Sequence, residues 1–257
     1  MASRVARSGS PACARPSASA VSAVPGASCR ATVIPSSPET AEALGRAQAG
    51  LAERATRLGI DDVRIRREGD QLIVTVPSGT EEQVDALIAP GQLAVYSQRA
   101  VRDAAGTTSK AEAEASARPG DHLVVMEEAL RSGTTARPVF LVFEGRPALT
   151  TADVAEAGVV DGAVFIGLTP AGRTAFEALT RQAAQDGAVR DRDQWIALVL
   201  DDRLLSNPTI DFQQYPSGID GRNGLQLDTE PRDPAEVAAQ LMTPLPPLQI
   251  APAPGSG

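Results

Sequence analysis

The stretch IALVLDDRLLSNPTI, Ile196 to Ile210, sets two apolar runs on either side of an aspartate pair. IALVL reads as a buried strand and RLLS as its partner, with Asp201-Asp202 as a two-residue turn. Such a turn needs positive φ, which Asp tolerates less well than Gly. Paired carboxylates also suggest metal binding or acid–base work. Adjacent residues at a hairpin tip, however, point apart and into water, and without burial neither carboxylate is perturbed. The expectation is a turn, not a site.

A hairpin of this kind needs a core to lie on. Of 257 residues, 42% are hydrophobic, which is enough for one large domain or two small ones. Only 3% are aromatic, so that core must be Leu, Val, Ile and Ala. The net charge of -8 argues against nucleic-acid binding, which needs clustered positive charge. No run approaches the roughly 18 apolar residues that span a bilayer.

Towards the N-terminus, residues 1–37 are rich in Ser, Ala, Pro and Gly and read as a disordered leader. The leader starts basic (Arg4, Arg7, Arg15) but lacks the apolar middle of about 7–15 residues that a secretory signal carries. Both cysteines, Cys13 and Cys29, fall in it. Three readings stand. GASC, ending at Cys29, has the small residues of a lipid-attachment site, although Gly26 replaces the usual Leu-like residue. A disulfide is the second. The third, preferred here, is two incidental cysteines. Residues 251–257 read as a disordered tail.

From Pro38 the pattern changes. Leu44, Leu51 and Leu58 recur at heptad spacing, with Ala47 and Ala55 on the same face, which predicts an amphipathic helix. Gly59 suits a left-handed cap, with Ile60 folding back. VRIRR and QLIVTV then alternate as a strand pair around Glu68-Gly69-Asp70. Thr80 and Gln83 form a capping box for a short helix through Ile88. Leu93 to Val101 is a third strand.

Residues 102–137 are polar and helix-prone; LVVMEEAL fits strand or helix equally, and the region reads as a loop with some helix. The single histidine, His122, lies here. No second His or Cys nearby completes a metal set, and no G-x-S-x-G elbow supports a triad. A surface histidine at the start of an element is expected. PVFLVF and AVFIGL follow as strands, and ALTTADVAEAGVV reads as a helix capped by Thr150 or Thr151. A further helix has Thr169 as N-cap and Pro170 in its first position, with Gly172 marking close packing. GLQL is a strand, Asp233-Pro234 opens a last helix and LPPLQI is a last strand.

The order AVFIGL, LTPAGRTAFEAL, IALVLDDRLLSNPTI, GLQL, DPAEVAAQLM, LPPLQI resembles the first extracytoplasmic domain of SecD, the accessory subunit of the bacterial Sec translocon. Leu58-Gly59-Ile60 and Arg67 through Pro77 are similar to that domain's base, and ALTTADV to the start of its head. The resemblance spans about 38–250. Departures are Asp201-Asp202 where the family has Asp-Gly, the altered turn PSGIDGRNG, and LMTPLPP near the end. The family continues into a transmembrane bundle, so proton-driven pulling is not carried over.

The resemblance implies a binding module for unfolded or translocating polypeptide or translocon components. It would work on the extracytoplasmic face of the cell membrane or as a secreted protein, with a membrane tether as one option. The expected fold is α+β with antiparallel or mixed sheets, a ferredoxin-like head inserted into an α/β base. The base is 38–101, completed by 231–250, and the head is 102–230. The expectation names no catalytic, metal or cofactor-binding residue and no cofactor; Cys29 is the one candidate modification site. The alternatives are a small-molecule binder on the same fold, which would need a pocket with convergent polar groups, or a truncated SecD relative.

Overall fold

A computed structural model describes residues 12–13, 28–35, 40–77, 79–102, 106–128, 137–227, 229, 232–246 and 248–250. The chain is α+β, with five helices among the described residues. It divides into two compact units. The described residues from Gln92 to Pro234 form the head, and the described residues before Gln92 and from Ala235 onward form the base.

In the base, β1 (Ala12–Cys13), β2 (Ser28–Pro35), β3 (Arg64–Glu68) and β4 (Gln71–Pro77) form a sheet in the order β1-β2-β4-β3. Helices α1 (Thr40–Arg57) and α2 (Glu81–Ile88) pack on it. The heptad face of α1 is the core face: Leu44, Ala47 and Leu51 are fully buried and meet Leu72, Val74 and Val76 of β4. Gly59 ends the helix at φ 62°, with Ile60 N–H donating to Ala55 and Gly59 N–H to Thr56. That is a Schellman cap. The capping box of α2 is present in both directions, Thr80 with Gln83.

Residues 28–35 correct the expected leader. They form β2, which lies between β4 and the outer strands. Cys29, Ala31 and Val33 alternate into the core at 2% exposure or less. Period-two burial, a strand signature, outweighs a composition that suggests disorder.

The head begins with β5 (Leu93–Ser97), α3 (Lys110–Ser116), β6 (His122–Glu128), β7 (Arg137–Phe143) and β8 (Leu149–Thr150). Next come β9 (Val154–Val160), β10 (Ala163–Leu168), α4 (Pro170–Arg190) and β11 (Gln194–Leu200). It closes with β12 (Arg203–Ser206), β13 (Thr209–Ile210) and β14 (Leu225–Leu227). One sheet runs β7-β6-β12-β11-β5-β8, with β13 also on β11, and a second runs β14-β10-β9. The chain then returns to the base through α5 (Pro234–Met242) and β15 (Leu248–Ile250), which pairs with β2.

The expected loop with some helix is corrected: Leu123–Glu128 lies in strand β6, which pairs along its length with β7. The expected helix in ALTTADVAEAGVV is not formed. A 3-10 turn, Thr151–Asp153, leads into β9. Thr150 and Asp153 satisfy each other as in a capped turn, but the run after them holds Val154, Val159 and Val160 and pairs with β10. Tertiary pairing overrides the cap signal. The cap of α4 is as expected, with Gly172 N–H donating to Thr169 Oγ1 at 3.0 Å.

Candidate functional site

The hairpin of Ile196–Ile210 lies at the centre of the larger head sheet. Leu200 pairs with Arg203, and Asp201 and Asp202 both have positive φ, 54° and 64°. This is the geometry of a type I′ turn, built without glycine. The strand-turn-strand reading holds, but the expectation that both carboxylates point into water does not. Asp201 Oδ1 accepts from Gln92 N–H at 2.8 Å. Asp202 lies 2.7 Å from His122 Nε2, and its carbonyl accepts from Val125 N–H at 2.8 Å. The turn is therefore fixed to the start of β5 on one side and to β6 on the other.

His122 is likewise not a plain surface residue. It opens β6, half-buried, and its Nδ1 lies 2.9 Å from the Tyr96 hydroxyl. A tautomer with the proton on Nε2 lets Tyr96 O–H donate to Nδ1 while Nε2–H donates to Asp202, so every group is satisfied. Tyr96 is 3% exposed, and its ring packs at 4.8 Å from that of Phe143. Burial, with the Asp202 charge adding to it, pushes the Tyr96 hydroxyl up to about 12.

A Tyr–His–Asp chain can relay a proton, but Tyr96 is enclosed. None of the three residues lines either of the two hollows described next. The arrangement cross-braces β5, β6 and the hairpin. The sequence reading missed Tyr96, a residue that shows there only as part of a strand.

The first hollow, in the base, measures about 320 Å³ between α1 and β3 and is lined by Ala55, Ile60, Asp61, Asp62 and Ile65 among others. The second, in the head, measures about 260 Å³ between α3 and β7, with Arg102, Thr107, Glu112 and Phe140 in its wall. Arg102 is committed to Asp121 and Glu144. The Arg118 backbone N–H, with Arg102 adding to it, holds the Asp121 carboxyl below its ordinary value. Both hollows are at or below the small end of ligand pockets, about 300 Å³. Among the described residues, no group of three His, Cys, Asp or Glu side chains could hold a metal ion.

The head's second sheet offers a different surface. Among the described residues, β9 pairs with β10 alone and forms a sheet edge. Its end exposes Val159 and Val160, at 47% and 50%, beside the Asp161-Gly162 turn. Edge strands of soluble proteins are commonly guarded by Lys, Pro or a cover; VAEAGVV has neither residue. Such an edge can accept an added strand through its backbone groups.

Cys29, the candidate lipidation site, lies in the base core at 2% exposure and is disulfide-bonded. No helix among the described residues is long and apolar enough to cross a membrane.

These features define a two-unit α+β module with a braced hairpin and an open sheet edge. Comparison with solved structures shows whose fold it is. The chain matches a crystal structure of SecDF in a super-membrane-facing form with a TM-score of 0.55 and 21% identity, over 88% of this chain and 30% of that one. It also matches a structure of SecDF, described as a membrane component that enhances protein export, with a TM-score of 0.51 and 21% identity, over 86% of this chain and 97% of that one. The chain has the SecD-like extracytoplasmic domain fold. It spans less than a third of the length of the first of these proteins. No family model and no curated protein sequence matches it.

Proposed function

We propose that this chain is a SecD-like module of protein export that works outside the cytoplasmic membrane and binds unfolded or translocating polypeptide, or components of the translocon. The observation that carries the reading is the shared fold, which runs through base and head alike over 88% of the chain. Two features support it. A sheet edge without Lys or Pro that ends in two exposed valines suits an extended chain, since strand addition takes affinity from backbone hydrogen bonds and tolerates varied sequence. The disulfide at Cys29 suits an oxidising compartment.

In this proposal the protein is a binding module and not an enzyme, and it needs no cofactor. The receiving surface is β9. Glu156 and Asp161 on or beside that strand favour segments that carry apolar and basic residues. The test is titration of a fluorescent, permanently unfolded polypeptide into the protein, with Val160→Asp alongside. Saturable binding that weakens about tenfold in the variant, with folding intact, is the expected result. Equal binding by both proteins would remove β9 from the reading.

A further inference from the structure

The outer face of the base sheet carries charge that polypeptide binding at β9 does not use. β2 and β3 both pair with β4, and the register aligns their side chains in rows. Arg30 and Arg64 stand on either side of Thr75, and Thr32 and Arg66 on either side of Ile73. The alternating neighbours Ala31, Val33, Leu72, Val74 and Val76 point the other way, into the core with α1 and α2, so the rows face outward. Arg30, Arg64 and Arg66 are exposed, and Thr32, Ile73 and Thr75 are half-buried. We propose that this face is an adsorption surface for anionic phospholipid headgroups, with the three arginines holding phosphate.

Among the described residues, no side chain pairs with any of these three guanidinium groups, whereas Arg46, Arg57, Arg99, Arg102 and Arg181 each hold a carboxylate. The one acidic residue on the three strands is Glu68, at the end of β3, and Asp70 follows in the turn. Neither is bonded to Arg64 or Arg66. On sheet spacings the three cations spread over roughly 12 Å, and they face outward uncompensated. A guanidinium suits phosphate in particular, because its N–H groups can donate in parallel pairs.

The net charge of -8 does not decide the matter, because charges are screened beyond about 8 Å at physiological salt and a headgroup layer senses those in contact with it. The cations lie in two dimensions across a sheet face, and none lines either hollow. That arrangement matches a layer of headgroups rather than one acidic chain lying in a groove. Each arginine held at such a layer strengthens adsorption about fivefold. The face belongs to the base and β9 to the head, so either proposal can fail without the other.

Flotation of the full chain with vesicles of phosphatidylcholine, alone or mixed with phosphatidylglycerol, tests this. Binding to the mixed vesicles only, weakening as salt rises, is expected. Arg64→Gln combined with Arg66→Gln should weaken it about tenfold or more, at an unchanged melting temperature because both side chains are exposed. Arg146→Gln combined with Arg190→Gln removes the same charge from exposed positions of the head and should leave binding nearly unchanged. Equal loss in the two double variants would overturn the proposal, since net charge and not this face would then control adsorption. Equal binding to neutral and mixed vesicles would also overturn it, as would failure to bind vesicles at all, whether or not the protein captures poly-glutamate instead.

Discussion

At the scale of single residues, the hairpin tip shows how two effects of similar size compete. Asp202 has a left-handed backbone, which costs a non-glycine residue roughly 1–2 kcal/mol. Its carboxylate, more than half exposed, pairs with His122, and an exposed pair is worth about 0–1 kcal/mol. Asp202→Gly gives up the pair but relieves the backbone, so stability should be unchanged or slightly raised. Asp202→Ala gives up the pair and keeps the strain. Urea unfolding should place the alanine variant about 1 kcal/mol or more below the glycine variant. Equal stability would mean the turn does not hold positive φ.

Tyr96 makes the second residue-scale prediction. The folded protein keeps its phenolic proton up to about pH 12, whereas a free tyrosine loses it near 10. The folded state therefore binds more protons than the unfolded state across that window. Stability should fall as pH rises from 10 towards 12, and Tyr96→Phe should remove that part of the slope. Unfolding midpoints measured across pH 9–12 for both proteins check the sign.

The sequence was most legible at the scale of elements wherever local and tertiary preferences agree. The heptad face of α1, its Gly59 cap, the Thr80–Gln83 box, the Thr169-Pro170 start of α4 and the β11–β12 hairpin were all visible as patterns. β9 was not, because Thr150 and Asp153 make a real cap that stops after one turn, and the valines beyond it belong to a sheet. β2 was missed because its small and polar residues look like linker until Cys29, Ala31 and Val33 are seen to alternate. Pairing of Asp202 with His122 and Tyr96 joins residues far apart in the chain, and no local pattern could announce it.

Gly172 carries the prediction at this scale. Alanine there favours helix formation by about 1 kcal/mol, but an added Cβ would sit 2.6 Å from the Asp153 carbonyl oxygen. Backbone cannot yield cheaply, so Gly172→Ala should destabilise the head by about 1–3 kcal/mol. Thermal melts decide the sign, and a stabilised variant would show that α4 can move away from the 3-10 turn.

At the scale of the whole molecule, each unit is held by its own device. In the base, fully buried Arg54 donates to carbonyls at the end of α2 (Leu87 and Ala89) and to Thr243 just beyond α5. One cation thus serves the ends of two helices, where the partial charge is negative. In the head, the hairpin brace ties β5, β6 and β12 together, while β9 is an edge of the separate β14-β10-β9 sheet among the described residues. A net charge of -8 disfavours anionic partners such as nucleic acid and is compatible with a basic or apolar polypeptide.

The central claim is that the head's open edge receives extended chain. Amide exchange of the intact protein, with and without saturating unfolded polypeptide, tests it most directly. The account predicts slowed exchange concentrated in Val154–Val160, with β11 and the base unchanged. Binding that leaves β9 exchange untouched, or a footprint confined to the hollow beside Arg102, would contradict it.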